Sequence, residues 1–244
     1  MIVELGLVGI LVGILSGFFG IGGGTVSVPI LMYLGFDIKQ AIGISVFQML
    51  LGSFFAFFIH KKQQTYDASK KVYFGYGGVL GAIVGAYLVK VLNSDVLGWF
   101  FLSLIVFTLI KLFLTNPEPT KKEVYSPVLY IFIGGAIGVF SGMLGVGGSI
   151  LMTPVLVSFL GFSLKKASAV GLFFVLFSSA SSFVSLSYLG MMEYTNGLIV
   201  GLSSLVGVWI GIKLLNRVKM TNYKRFLVLF YVLIFLITAN KVLA

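Results

Sequence analysis

Six long apolar stretches, roughly over 41–59, 72–92, 96–114, 167–188, 194–213 and 225–242, are separated by short polar breaks. Each is long enough to cross about 30 Å of hydrocarbon as a helix. Two further stretches, 2–35 and 128–161, are equally apolar but broken midway. The breaks read "SGFFGIGGGTVSVP" (Ser16–Pro29) and "SGMLGVGGSILMTP" (Ser141–Pro154). Glycine and proline at such depth predict a helical hairpin whose tip turns inside the membrane.

The two breaks belong to an internal repeat. Residues 9–29 align with 134–154 without a gap, and eight of the 21 positions are identical: Gly9/Gly134, Gly13/Gly138, Ser16/Ser141, Gly17/Gly142, Gly20/Gly145, Gly22/Gly147, Gly23/Gly148 and Pro29/Pro154. After a one-residue insertion, "LGFDIKQA" (Leu34–Ala41) matches "LGFSLKKA" (Leu160–Ala167). The predicted organisation is a first repeat over 1–115, a cytoplasmic linker over 116–127 and a second repeat over 128–244. Each repeat is a hairpin followed by three transmembrane helices.

Composition agrees with a membrane class. The chain is 59% hydrophobic and 10% charged, with mean hydropathy +1.10, against nearly a quarter charged residues in soluble domains. The N-terminal stretch "MIVELGLVGILVG" carries Glu4 and no basic start, and is read as retained rather than as a signal peptide. With no cysteine, disulfides, thiolate metal sites and cysteine nucleophiles are excluded. The net charge of +10 reads as a topological signal and not as a nucleic-acid surface.

Charge also orients the hairpins. If each returns to its starting side, the loops at 60–71, 111–126, 163–166 and 213–225 share one face and hold 14 of the 17 Lys and Arg residues. If each crosses once, the split is nine to eight. The positive-inside rule favours return. A hairpin plus three crossings is an odd number, so the second half is inverted and both termini lie outside the cytoplasm. The predicted fold class is therefore all-α integral membrane, with two inverted repeats, each a re-entrant helical hairpin plus three transmembrane helices. About 14 residues before Ser16 and ten after Thr25 give arms of roughly 21 and 15 Å, which place the tip near the midplane. Pro29 and Pro154 are expected in the first turn of the returning half-helices.

A half-helix that starts at a glycine loop directs free N–H groups and a positive dipole end at the cavity, which favours an anion. The candidate solute-binding residues are Gly22, Gly23, Gly24, Thr25, Ser27, Ser45 and Gln48 in the first half, with Gly147, Gly148, Ser149, Thr153 and Ser178 in the second. Ser179 and Ser181 are further lining candidates. Bland readings stand beside these. The glycines at 9, 13 and 17, their copies at 134, 138 and 142, and the pairs Gly81/Gly85 and Gly207/Gly211 suit close packing between helices. Serines inside helices often bond a carbonyl one turn back. His60 reads as an interfacial residue beside Lys61 and Lys62. No nucleotide loop is present, since no Gly-Lys-Ser/Thr follows either glycine run. No acid maps to mid-span, so neither a carboxylate proton relay nor intramembrane catalysis is indicated, and no metal or cofactor is called for.

The paired "SGFFGIGGGTVSVPIL" and "SGMLGVGGSILMTPVL" segments, each followed by "LGF", resemble the TauE/SafE family of membrane proteins, also described as sulfite exporters. The resemblance covers essentially the whole chain. It implies a plasma-membrane carrier, usually an exporter, for sulfur-containing anions such as sulfite, sulfoacetate or related organosulfonates. Where that family often shows Gly-Thr-Ser after the first hairpin, this chain reads Gly43-Ile44-Ser45, and the second copy reads Ala169-Val170-Gly171. The expected function is a secondary transporter of small sulfur-containing anions and not an enzyme. The alternatives are uptake of another small anion, or a membrane scaffold without transport. Expected partners are a small anionic solute and lipid, not nucleic acid; the GxxxG faces suit a homo-oligomer as well as packing within one chain.

Overall fold

In a computed structural model describing residues 2–20, 22–62, 72–114, 123–215 and 220–243, the first helix runs past its expected end. α1 spans Ile2–Phe19, because Gly17, Phe18 and Phe19 continue its apolar run. It stops at Gly20, where a φ of 67° turns the chain left-handed and the N–H closes on the Ser16 carbonyl at 2.8 Å. α6 (Pro127–Leu144) ends in the same way, with Gly145 at φ 63° bonded to Ser141 O at 3.0 Å. Each has 18 residues, about 27 Å, so the helix before each glycine break has the length of a span and exceeds the roughly 21 Å expected of the first arm.

The second arms are short. α2 (Gly24–Tyr33) has 10 residues and α7 (Ser149–Leu160) has 12, roughly 15 and 18 Å, too little to cross. Pro29 and Pro154 are the sixth residues of these helices, in the second turn instead of the first. Each ring therefore removes an interior hydrogen bond, to the carbonyl of Thr25 or Ile150.

The long helices follow the expected stretches with a few residues added: α3 (Ile38–Lys62), α4 (Val72–Val91), α5 (Ser94–Leu114), α8 (Leu164–Tyr188), α9 (Tyr194–Leu215) and α10 (Met220–Leu243). Among the described residues no strand occurs, and eight helices are long and apolar enough to cross a membrane. Segments 63–71, 115–122 and 216–219, with much of the basic charge and most of the expected linker, lie outside the described residues. Of His60, Lys61, Lys62, Ser149 and Lys165, the description covers backbone alone.

Packing is reciprocal between the halves. α1 lies along α9, and α6 along α4. Gly9, Gly13 and Gly17 meet the backbone of Val200, Ser204 and Val208 in turn, while Gly207 and Gly211 meet Ile10 and Ile14. Gly134, Gly138 and Gly142 meet Phe74, Gly78 and Ala82, while Gly77, Gly81 and Gly85 meet Ile131, Gly135 and Val139. Residue numbers rise together on both sides, so each pair runs parallel. At these positions even a methyl would overlap a facing carbonyl, which is how small residues let two helices approach in lipid. α3 and α8 are the most enclosed spans, each 56% buried, against 28% for α10. Outward residues such as Leu80 and Val84 on α4 and Leu229 and Leu233 on α10 are exposed, as a surface solvated by hydrocarbon requires.

The two ends of the bundle carry different links. At one, the Asp37 carboxylate caps α3 through Lys39 N (3.0 Å) and accepts from Ser94 Oγ (2.9 Å), and Gly43 packs on Met191 O. A cleft of about 520 Å³ opens there between Phe36, Asp37, Trp99 and Lys241. Toward the far end of α5, about 26 Å from Ser94 by helix rise, Lys111 Nζ lies 5.1 Å from the Phe159 ring centroid. There Val124 N donates to Leu160 O at 3.1 Å, and Lys166 pairs with Glu123.

Candidate functional site

Each hairpin tip is a run of glycines between two helices. In the first, Gly23 at φ 82° is the N-cap of α2, and its carbonyl takes both Val26 N and Ser27 N at 3.0 Å. No side chain caps this end, so the amides of Gly24 and Thr25 have no carbonyl within the helix. In the second, Gly148 at φ 69° caps α7 and accepts from Leu151 N and Met152 N at 3.1 and 2.9 Å, again without a side-chain cap. Either position would be strained with any other residue.

The tips touch. Gly24 lies so close to the carbonyl of Gly145 that a Cβ would overlap it, and that Cβ would stand 2.8 Å from Val146 Cα. Gly147 packs on the Met49 sulfur, and both Gly22 and Gly147 pack on Val175. A hydroxyl ladder ties the contact together. Ser27 Oγ donates to Ser45 Oγ at 2.8 Å, and Ser45 Oγ donates to Gly145 O at 2.7 Å, joining α2, α3 and the opposite tip. On the other side, Ser141 Oγ donates to Ser178 Oγ at 3.1 Å, and Ser178 Oγ reaches Val175 O at 3.3 Å and Gly147 O at 3.5 Å.

Gln48 differs from these. It is fully buried, and neither Oε1 nor Nε2 has a hydrogen-bond partner among the described residues. Its amide lies against the first tip: a Cβ on Gly23 would stand 2.6 Å from Oε1 and 2.9 Å from Nε2. Thr25 Oγ1, also fully buried, is likewise unpartnered. Unmade bonds of this kind cost about 1–3 kcal/mol each, so three such atoms on one tip are a substantial burden for a structure to carry.

The structure thus brings together Gly22, Gly23, Gly24, Thr25, Ser27, Ser45, Gln48, Gly147, Gly148 and Ser178. Thr153 is buried a turn into α7 but has no part in the ladder. The side chain of Ser149 lies outside the described residues. Ser179 and Ser181 do not line the tips. Ser179 Oγ returns to Leu176 O on its own helix at 3.4 Å, and Ser181 Oγ fastens α8 to α4 through Val79 O at 2.8 Å. Four residues were missed: Ser141, Met49, Val175 and Phe174. The repeat register held the signal, since an offset of 126 pairs Met49 with Val175 and Gln48 with Phe174.

Chemically, this is a neutral, donor-rich contact. Among the described residues no group of three His, Cys, Asp or Glu side chains could hold a metal. What the tips offer is amide N–H, hydroxyl and carboxamide, plus two helix N-termini each equivalent to roughly half a positive charge.

A family model described as Sulfite exporter TauE/SafE matches residues 5–238. The chain is similar to the probable membrane transporter protein YunE of Bacillus subtilis (strain 168), 27% identical with 90% of each chain covered. It is also similar to the probable membrane transporter protein YfcA of Escherichia coli (strain K12), 24% identical over 97% of this chain and 87% of the other. A probable membrane transporter protein of Methanocaldococcus jannaschii is 27% identical over 73% of this chain and 70% of its own. No solved structure matches.

Proposed function

The chain belongs to the TauE/SafE family of membrane transporters, and on that premise we propose that it is a secondary carrier exporting small sulfur-containing anions such as sulfite or organosulfonates. The observation that carries the anion reading is a pair of helix N-termini without side-chain caps, α2 at Gly23 and α7 at Gly148, on glycine runs that touch through Gly24 and Gly145, with hydroxyls and an amide and, among the described residues, no acid beside them. Such ends stabilise negative charge without a buried Lys or Arg. The basic loops on the proposed cytoplasmic face, 14 Lys and Arg against three acids, would concentrate anions at an inner mouth and suit export.

In this reading the two halves are inverted repeats in the plasma membrane, with re-entrant hairpins and both termini outside the cytoplasm. Support comes from the opposed ends of α5. The α2–α3 loop bonds Ser94 at one end, and Phe159 beside the α7–α8 loop meets Lys111 at the other. Alternating access then amounts to parting the tips first toward one face and next toward the other.

The test is reconstitution in liposomes loaded with sulfite, thiosulfate or a sulfonate, under an imposed pH gradient. Saturable efflux is expected, and its absence for every one of these anions ends the sulfur-anion reading. Uptake would appear as flux in the reverse orientation. A non-transporting scaffold would show altered assembly but no change in solute movement when Gly23 or Gly148 is enlarged. Topology is tested separately, because the chain has no cysteine. Single cysteines at Lys39 and Lys165 should label from opposite faces, and labelling from one face would remove the inverted hairpins.

A further inference from the structure

The two tips are copies in sequence but not in chemistry. The register that pairs Gln48 with Phe174 also pairs Gly52 with Ser178, and the register before the one-residue insertion pairs Thr25 with Ile150. The structure keeps the first of these pairs in matching places. Gly23 faces the Gln48 amide, and a Cβ on Gly148 would stand 2.5 Å from the Phe174 ring. At the second tip the nearby hydroxyls of Ser141 and Ser178 bond one another and the backbone. At the first, Gln48 and Thr25 are fully buried and unpartnered. Among the described side chains at the two tips, the unpartnered ones, Gln48 and Thr25, both lie at the first.

We infer that the first tip is the binding element and Gln48 its selector, and that it takes a singly charged oxyanion still carrying an O–H, such as hydrogen sulfite. This rests on the carrier reading above and narrows its substrate class. The Gly24 and Thr25 amides at the N-terminus of α2, the Thr25 hydroxyl and Gln48 Nε2 are donors for oxyanion oxygens. Gln48 Oε1 is an acceptor and needs a donor in return. An anion with acceptors alone leaves that oxygen facing lone pairs; an X–OH group bonds to it. The amide has both ends unmet, so the requirement holds whichever way it is turned. Charge points the same way: the helix N-terminus at the first tip supplies about half an elementary charge, and among the described residues no basic side chain stands by to hold a second negative charge. The proton then crosses on the substrate, and no titratable side chain is needed to couple it.

The test uses the full chain in proteoliposomes, with counterflow of radiolabelled sulfite and two competitors of single charge. Hydrogen selenite carries an O–H, whereas methanesulfonate has acceptors alone. Hydrogen selenite should compete at least tenfold better, and flux at fixed total sulfite should fall with rising pH in step with the hydrogen sulfite fraction. Gln48→Met should erase the preference between competitors, while Phe174→Leu keeps it. Thr25→Val, nearly isosteric, should weaken both competitors without erasing the preference. A Gln48→Met protein that still transports and still prefers hydrogen selenite overturns the inference and leaves the carrier reading intact. So does wild-type flux that follows the sulfite dianion. Absence of any counterflow removes the carrier reading instead. Thermal stabilisation of the purified protein by hydrogen selenite, absent with methanesulfonate and lost in Gln48→Met, reads the site independently of flux; equal stabilisation by both anions overturns it.

Discussion

Glycine does two different jobs in this protein, and the two sets of glycines differ in how alike the halves are. Along the α1–α9 and α4–α6 seams, glycines exist to remove side chains, and the seams share most of these positions against the same kind of facing backbone, with Ser203 standing in α9 where α4 has Gly77. At the tips, Gly23 and Gly148 hold matching positive φ values of 82° and 69°, yet one faces an amide and the other a ring. Scaffold is duplicated faithfully and chemistry is not. A seam needs a shape, which a repeat supplies twice. On the proposed reading, a site for one small anion needs its selecting side chains once, and a second buried, unpartnered amide would add a cost with nothing to bind.

Breaking the seams should have the largest effect and should not distinguish the halves. Gly13→Val or Gly81→Val drives a branched side chain into a facing carbonyl, with a loss of more than about 3 kcal/mol expected. Both variants should fail to run as monodisperse protein in size-exclusion chromatography. At the tips the effect is smaller. Gly23→Ala and Gly148→Ala each force a left-handed residue at about 1–2 kcal/mol. Melting temperatures should drop comparably in both, while flux should drop further for Gly23→Ala, which displaces the Gln48 amide. Equal flux losses would blunt the contrast between tips.

Gln48→Met should move stability the other way. Replacing an amide with two unmet bonds by an apolar chain of similar length is expected to stabilise by about 1–3 kcal/mol, read as a higher melting temperature in detergent, with loss of anion selectivity. A fall in stability would mean that Gln48 has partners in the resting state. The smallest effect belongs to the ladder. Ser45→Ala removes the bridge from Ser27 to Gly145 O at about 0.5–1.5 kcal/mol and should loosen the closed state. Ser181→Ala, at similar cost, should leave flux unchanged because it fastens helices away from the tips.

The broken apolar stretches and their glycines made the short second arms and the packing faces readable from the sequence, because backbone demands of that kind are local. Where α1 ends was not readable. Ser16-Gly17-Phe18-Phe19 is compatible with either helix or turn, and Gly20 decides between them through its left-handed φ. Pro29 misled for a related reason: an α2 that starts at Gly24 puts the proline one turn deeper than its usual place. Ser45 was legible as polar lining, but its bond to Gly145, a hundred residues on, depends on how the halves dock. Ser181 was misread because a serine that crosses to α4 and one that faces a cavity have the same local sequence. The contrast between Gln48 and Phe174 was present in the repeat register and needed the fold to give it a location.

The seams also set how such a molecule moves. Because α1 is riveted to α9 and α6 to α4, every hairpin is braced by a strut from the opposite repeat. Neither tip can swing by itself without tearing a glycine-lined joint. On the proposed carrier reading, displacement on one face would thereby be geared to displacement on the other through the cross-bracing of α1 with α9 and α6 with α4.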